Sequence, residues 1–123
     1  MDFRSYVAIG DSFTEGVGDD LPDGSVRGWA DLVALGLALA ARERADARPF
    51  GYANLAIRGR LLGPIVDEQL DAAIALRPDL LSLNGGGNDI MRPRVSIESV
   101  ADRLAAAVHQ AVGAGIHVLL LSG

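Results

Sequence analysis

The chain has 123 residues, of which half are apolar, and a formal net charge of -5 with no cysteine. This length suits one domain with a real core and is too short for two. The acidic balance argues against a nucleic-acid partner, which would need a basic face, and the lack of cysteine excludes disulfides, thiolate nucleophiles and zinc–thiolate sites.

The first half of the chain predicts two buried strands with a helix between them. Residues 6–9 are a short apolar run that ends at Gly10-Asp11-Ser12, which is typical of a strand followed by a turn. A Gly/Asp-rich loop covers residues 16–27, and residues 29–44 then show helical spacing. A second strand is predicted over residues 52–57. The predicted apolar face of the helix consists of Trp29, Leu32, Val33, Leu37 and Ala40.

The second half repeats this alternation. Apolar residues recur at helical spacing from Leu62 to Ile74, and Arg77-Pro78 closes that helix. Residues 80–83 predict a third buried strand that runs into a glycine-rich segment. Ser96 is a candidate N-cap for a helix over residues 97–112, with Ser99 as a second candidate, and residues 116–121 predict a fourth strand.

The order β-α-β-α-β-α-β predicts one α/β domain over residues 1–123, with a parallel sheet covered by helices on both faces. Ligands of such sheets bind outside the carboxyl ends of the strands. The segments that leave the first three strands there are residues 10–12, 58–60 and 86–89. Functional residues are therefore expected at these three strand exits.

Each exit is weak evidence alone, but together they offer the groups that acyl transfer needs. Ser12 on a tight turn offers a hydroxyl nucleophile, although an isolated serine there more often just caps a turn. The backbone N–H groups of Ser12 and Gly59 and the side chain of Asn88 offer donors for a developing oxyanion.

Three segments resemble the signature blocks of the GDSL/SGNH hydrolase family, in family order and at similar spacing. They are residues 8–16 (AIGDSFTEG), residues 54–59 (NLAIRG) and residues 86–89 (GGND). The resemblance runs the length of the chain. It implies a flavodoxin-like three-layer α/β/α fold with strand order 2-1-3-4-5. It also implies hydrolysis of a small-molecule ester through an acyl-serine intermediate, with neither a cofactor nor a metal.

The resemblance also implies a role for individual residues. Ser12 becomes the nucleophile, and the N–H of Ser12, Gly59 and Asn88 become the oxyanion hole. Gly10, Asp11 and Gly87 then support these groups, with Asp11 holding the turn.

The sequence departs from the family at its fourth block, Asp-x-x-His, which supplies the general base. The chain has only two histidines, and the predicted elements place His109 and His117 near the amino ends of the strands, far from Ser12. Asp11 and Asp89 are each adjacent to a site residue, and a solvated carboxylate is a feeble base toward serine. We therefore expect a domain truncated after the fourth strand and catalytically incomplete.

Two other function classes fit parts of the pattern. One is a non-catalytic module that binds a phosphate or another small molecule at the glycine-rich exits. Gly16-Val17-Gly18 is only a fragment of a dinucleotide fingerprint, and the chain has no lysine for a P-loop. The other is an interaction module for which the Ser12 hydroxyl is dispensable. Asp19, Asp20 and Asp23 fit a solvated loop better than a metal site.

Location and self-association also follow from the pattern. No segment has the length and apolarity of a secretory signal or a membrane span, so we expect a cytoplasmic protein. The outer edge of an apolar fourth strand would be bare, and this predicts that the chain pairs with another chain through this strand, exchanges elements with a second copy, or is part of something larger.

Overall fold

A four-stranded parallel sheet forms the centre of the protein. The computed structural model describes residues 3–15, 28–42, 50–57, 61–92 and 94–121, except the side chains of Ser12 and Phe13. The strands are β1 (Ser5–Ile9), β2 (Gly51–Asn54), β3 (Leu80–Leu83) and β4 (His117–Leu120). Their order β2-β1-β3-β4 confirms the flavodoxin-like arrangement predicted for the first four strands.

The sheet register puts the three exits at one edge. Tyr6 pairs with Tyr52 of β2 and with Leu80 of β3, while Ile9 pairs with Leu83. All pairings in the sheet are parallel. The segments that follow β1, β2 and β3 therefore leave the sheet at its carboxyl edge, as the sequence predicts.

Helices connect the strands. They are α1 (Ser12–Glu15), α2 (Trp29–Arg42), α3 (Leu62–Pro64), α4 (Asp71–Ala75), α5 (Gly87–Ile90) and α6 (Ile97–Gly113). Residues Ile65–Leu70 form a π-helical segment that joins α3 to α4 in one continuous helix. The N-cap of α6 is Ser96, whose Oγ accepts a hydrogen bond from the backbone N–H of Ser99 at 3.2 Å.

Two apolar clusters pack the helices onto opposite faces of the sheet, which gives three layers. On one face the alternate residues Val7, Ile9, Leu81 and Leu83 meet the α3–α4 helix and α6. On the other face Tyr6 and Ala8 meet α2. Alternation of side chains along each strand explains why neighbouring residues enter different clusters.

The predicted apolar face of α2 is confirmed in part. Trp29, Val33 and Leu37 pack against the core, but the most deeply buried residues lie about one position further round the helix. Ala30, Ala34 and Ala41 are buried, whereas Leu32 is 55% exposed. Positions 30, 34 and 41 lie on one stripe at 100° per residue, and position 32 lies about 200° away from position 30. The prediction favoured bulky apolar residues, whereas the most deeply buried positions of α2 are small alanines, which allow the helix to lie close to the sheet.

The second strand is shorter than predicted. β2 ends at Asn54 rather than at residue 57. There the Asn54 Oδ1 accepts the backbone N–H of Ala56 at 3.0 Å, which is an Asx turn. The N–H groups of Leu55 and Ile57 still donate to the carbonyls of Ala8 and Gly10, so the start of the second signature block stays beside the first strand.

A buried pair of hydroxyl groups lies beneath the sheet on the α2 side. The Tyr6 hydroxyl and the Ser82 Oγ are 2.6 Å apart, and the Tyr6 ring stacks on Tyr52 with centroids 5.4 Å apart. Burial raises the pKa of the Tyr6 hydroxyl above its ordinary value. Burial and a hydrogen bond donated to Asp31 Oδ1 at 2.7 Å raise the pKa of Tyr52 as well.

Candidate active site

Backbone hydrogen bonds continue past the ends of the strands and bring the three exits together. The N–H of Leu55 donates to the carbonyl of Ala8, and the N–H of Ile57 donates to the carbonyl of Gly10 at 3.1 Å. On the other side of β1, the N–H of Asn84 donates to the carbonyl of Ile9 at 3.3 Å. The exits of β2 and β3 therefore flank the segment that leads to Ser12.

A chain of side-chain hydrogen bonds joins the same three exits. The Asn84 Nδ2 donates to Asp11 Oδ1 at 2.9 Å, and the Thr14 Oγ1 donates to Asn84 Oδ1. The Asn54 Nδ2 donates to the carbonyl of Thr14 at 3.0 Å, while its Oδ1 receives the N–H of Ala56. Asp11, Thr14 and Asn84 are all buried. A fully paired buried network of this kind fixes one arrangement of the exits.

Gly10, the residue after β1, lies directly against the Asn84 side chain. Its φ of +151° favours glycine, and a Cβ added there would clash with Asn84 Oδ1. Its N–H donates to Gln69 Oε1 at 2.8 Å, and its carbonyl accepts from Ile57. Gly10 is thus held on three sides, two residues before Ser12.

The turn after Gly10 becomes the short helix α1. The carbonyl of Asp11 accepts the N–H groups of Thr14 at 3.2 Å and Glu15 at 3.0 Å, so helical bonding begins at Asp11. Ser12 is the first residue of α1. The backbone N–H groups of a first helical turn have no acceptor within their own helix. This arrangement is compatible with an oxyanion donor at the Ser12 N–H, which stays a prediction.

The third signature block forms the start of α5. Gly86, buried with φ +99°, precedes the helix, and a Cβ there would lie 2.7 Å from Val100 Cγ1. Asn88 is half-buried in the first turn. Next to it, Asp89 Oδ1 accepts the N–H of Leu62 at 2.7 Å. That bond ties α5 to the start of α3, which follows directly after the second signature block.

The structure therefore brings Gly10, Asp11, the backbone of Ser12, Gly87 and Asn88 to one edge of the sheet. Gly59 and the Ser12 side chain lie outside the described residues, so their roles stay predictions. The sequence analysis missed four polar residues that hold the exits, namely Thr14, Asn54, Gln69 and Asn84. A signal existed for Asn54 and Asn84, since each follows a strand directly.

Both histidines lie away from this edge. His117 is the first residue of β4 and is level with Leu80 and Tyr6, at the amino end of the sheet. From Tyr6 to Ile9 the strand rises roughly 10 Å, at about 3.3 Å per residue. The His117 ring instead packs edge-to-face on Phe3, with centroids 5.5 Å apart. His109 is exposed near the end of α6, and α6 leads through a short turn into the start of β4.

No group of three or more metal-ligating side chains suited to an ion occurs within the described ranges of the chain. Asp19, Asp20 and Asp23, and the rest of the loop over residues 16–27, lie outside those ranges. Of the helices that are described, none combines the length and apolarity needed to cross a bilayer.

Comparison with known proteins agrees with the fold. Residues 8–123 match the model of the GDSL-like lipase/acylhydrolase family. No significant match was found among curated proteins.

Among the solved structures of similar fold are three that align with most of this chain. TesA aligns with a TM-score of 0.75 and 26% identity over 97% of this chain and 60% of its own. A psychrotrophic esterase, EstA from Pseudoalteromonas sp., solved after inhibition by monoethylphosphonate, has a TM-score of 0.68 and 21% identity, over 95% of this chain and 58% of its own. A variant of Axe2, an acetyl xylan esterase from Geobacillus stearothermophilus, has a TM-score of 0.65 and 19% identity, with the same coverage. The chain thus spans about three fifths of each of these proteins.

Proposed function

This chain belongs to the GDSL-like lipase/acylhydrolase family, and on that premise we propose that it forms the nucleophile half of a serine ester hydrolase. Its substrates are small-molecule esters of the carboxylesterase, acetylesterase or lysophospholipase kind. Ser12 is the nucleophile, and the Ser12 N–H, Gly59 and Asn88 form the oxyanion hole.

The proposed reaction has two halves. The Ser12 Oγ attacks the ester carbonyl carbon while a general base takes its proton, and the carbonyl oxygen becomes an oxyanion that the three donors stabilise. The alcohol then leaves with a proton from the same base, which gives an acyl-serine. Water, activated by the base, attacks the acyl carbon and releases the acid and free Ser12.

The observation that carries the proposal is the hydrogen-bonded network of Asp11, Thr14, Asn84 and Asn54. It connects the exits of β1, β2 and β3, from which the proposed nucleophile and the three proposed donors come. Catalysis of this type depends on donors that are fixed before the reaction begins. A loop that merely connects strands has no need of a buried polar network under it.

We propose that the general base is supplied from outside these 123 residues. His117 and His109 lie toward the amino edge of the sheet, and a base must reach the Ser12 Oγ within about 3 Å or through one water. Asp89 is engaged with the Leu62 N–H. Ser12 in this chain is therefore expected to react with an activated acyl or phosphonyl group only when a base is added.

Self-association through β4 is a second part of the proposal. β4 pairs with β3 on one side and is the last strand of the described sheet. Leu119 and Leu120 are 41% and 52% exposed. A groove beside them is lined by Gly85, Gly86 and Gly87 of the third exit and by the apolar residues Ile90, Val100, Leu104, Leu120 and Leu121. An exposed apolar edge strand is a template for pairing with another chain, and we propose a second copy as the partner.

Labelling with a fluorophosphonate tests the nucleophile. The chain is incubated with the reagent in imidazole buffer, which supplies the base, and the adduct is located by peptide mass mapping. We expect one phosphonyl group on Ser12, none on the Ser12→Ala variant, and a rate at least ~10-fold lower for Asn88→Ala, which removes one oxyanion donor.

Ser5→Ala is the matched control, because Ser5 lies at the amino end of β1 and its hydroxyl accepts the N–H of Asp79. It should label at the parent rate. Equal labelling of the parent and Ser12→Ala, or an adduct on another residue, would contradict the proposed role of Ser12.

A further inference from the structure

Gln69 is a buried polar residue that none of the signature blocks includes. It lies in the π-helical segment Ile65–Leu70 and is only 5% exposed. Its neighbours in that segment, Ile65 and Leu70, belong to the apolar core between the helix and the sheet. A primary amide in such a place has a cost in stability, so a contact that requires it is to be expected.

The contact is with the segment that carries the nucleophile. Gln69 Oε1 accepts the N–H of Gly10 at 2.8 Å, across 59 residues of sequence. β1 ends at Ile9, so Gly10 is the residue at which the chain turns away from the sheet. The bond therefore lies at the hinge of the turn that leads to Ser12.

The other half of the Gln69 amide has no such use. Among the residues that the structure describes, its Nε2 has no hydrogen-bond partner. Leaving a buried donor unpaired costs stability, and an apolar side chain of the same shape would in turn leave the buried Gly10 N–H without its acceptor. What Gln69 supplies at this place is therefore the oxygen that it presents to Gly10.

The local helix geometry supports the same conclusion. π-helical turns are rare, occur mostly as single turns within α-helices, and are frequent at functional sites. In this one the consecutive residues Gln69 and Leu70 are both buried, while Asp67 and Glu68 before them are exposed. Leu70 completes the core, and Gln69 reaches the end of β1.

We propose that Gln69 is a positioning residue of the esterase site, whose Oε1 fixes the Gly10 N–H and thereby the direction of the turn bearing Ser12. This inference rests on the proposed function. Gly10 is otherwise held by its carbonyl and by its close approach to Asn84. Removal of the Gln69 oxygen frees its N–H side, and small displacements of reacting groups have large effects on rate, about 100-fold for 1 Å.

The test compares Gln69→Met, which keeps the length and loses the acceptor, with Gln69→Glu, which keeps an acceptor oxygen. Two quantities are measured on the whole chain, namely hydrogen exchange of the Gly10 amide by NMR and fluorophosphonate labelling of Ser12 in imidazole buffer. We expect Gln69→Met to exchange the Gly10 amide at least ~10-fold faster, because a hydrogen-bonded amide is protected. Its maximal labelling rate should fall at least ~10-fold with little change in the reagent concentration for half-maximal rate. Gln69→Glu should recover most of both.

Leu70→Ala separates positioning from loss of stability. Leu70 is a buried neighbour in the same segment and its removal leaves a cavity, so this variant should unfold at lower urea than the parent. Measured well below its unfolding midpoint, it should label Ser12 within ~2-fold of the parent rate. If Gln69→Met does not fold, Gln69→Asn replaces it, since its shorter side chain withdraws the acceptor and keeps the amide.

The outcomes distinguish this inference from the proposed function. Parent-like labelling in Gln69→Met, or in Gln69→Asn, overturns the role of Gln69 and leaves Ser12 as the nucleophile. An equal loss of labelling in Leu70→Ala also overturns it, because stability alone then explains the effect. A parent chain that labels no faster than Ser12→Ala removes the proposed function itself, and the role of Gln69 with it.

Discussion

At the scale of single residues, the described part of the site is built from amide and carboxylate groups that satisfy one another. Asn84 uses both ends of its side chain, donating to Asp11 and accepting from Thr14. Burial makes such a network sensitive to any change of charge, because an unpaired or repelled ion costs much more in the interior than at the surface. The geometry of the turn that leads to Ser12 thus depends on a neutral amide, rather than a carboxylate, at position 84.

Asn84→Asp tests this dependence. The substitution puts a second carboxylate where the Asn84 Nδ2 lies 2.9 Å from Asp11 Oδ1, so two like charges share one buried site. We expect the free energy of unfolding at pH 7.5 to fall by about 3 kcal/mol or more, measured with urea. The pair takes up a proton more readily when folded than when unfolded, so its folded pKa is raised and part of the loss is regained as pH falls toward 4.5.

Thr14→Val is the control for this change. It removes the hydroxyl that donates to Asn84 Oδ1 and adds no charge, so its deficit of about 1–2 kcal/mol should be the same at both pH values. A deficit for Asn84→Asp that is independent of pH would show that the two carboxylates do not share the site.

At the scale of helices and strands, hydrophobic patterning predicted much of the fold and little of the site. β3 and the N-cap of α6 lie where the sequence indicates, because a run of leucines and a serine before a periodic segment are local signals. The π-helical segment with Gln69 has no such signal, since Leu62, Ile65 and Ala73 fit an ordinary helix equally well. Gly10 and Ser12 were found by a motif, whereas the contacts that hold them come from residues distant in sequence.

A solvent-exposed glycine in the middle of α2 gives a prediction at this scale. Gly36 lies mid-helix and exposed, and a Cβ there would meet no atom within 4 Å. Gly36→Ala is expected to stabilise the fold by about 0.5–1 kcal/mol, because alanine loses less backbone entropy in a helix. Thermal unfolding should show a higher midpoint. Ala40→Gly, at an exposed position of the same helix, should lower it by a similar amount, and a fall for Gly36→Ala would contradict the described surface of α2.

The two tyrosines of the sheet predict the alkaline limit of stability. The folded pKa of Tyr6 is raised by burial above the unfolded value of 10.0, so above pH 10 the unfolded chain loses a proton that the folded chain keeps. Stability is therefore complete below about pH 10 and falls as pH rises further, and the raised pKa of Tyr52 adds to the fall.

The composition makes this test selective. The chain has two tyrosines, no cysteine and no lysine, and its arginines stay charged throughout this range. Urea unfolding between pH 9 and 11.5 should show a steep decline for the parent, a weaker one for Tyr6→Phe, and the weakest for Tyr6→Phe combined with Tyr52→Phe. The same slope in all three would mean that neither hydroxyl is protected in the fold.

At the scale of the whole molecule, β4 is an outer strand of the described sheet and has an apolar edge. The N–H groups of His117 and Leu121 point toward β3, where they donate to the carbonyls of Asp79 and Leu83. Successive N–H groups of a strand point in opposite directions, so those of Val118 and Leu120 point to the outer edge. A second copy pairing there would have to accept these two groups.

Leu120→Pro removes one outward N–H and leaves the bonds to β3 in place, since proline is tolerated on the free side of an edge strand. We expect the parent to sediment as a concentration-dependent dimer and Leu120→Pro as a monomer. Leu120→Ser keeps the N–H and loses apolar area, so it should show intermediate association. A parent that stays monomeric across the concentration range would contradict pairing through β4.

The most direct test of the account is hydrolysis of a short-chain p-nitrophenyl ester by this chain and by Ser12→Ala, each with and without imidazole. The account predicts that both match the blank without imidazole, and that imidazole gives the parent a turnover that Ser12→Ala lacks, because Ser12 and its oxyanion donors are present and the base is not. Turnover by the parent alone that is lost in Ser12→Ala would show a base within these residues or across a dimer. Turnover in imidazole that exceeds the protein-free imidazole blank and survives in Ser12→Ala would contradict the central claim that Ser12 is the nucleophile.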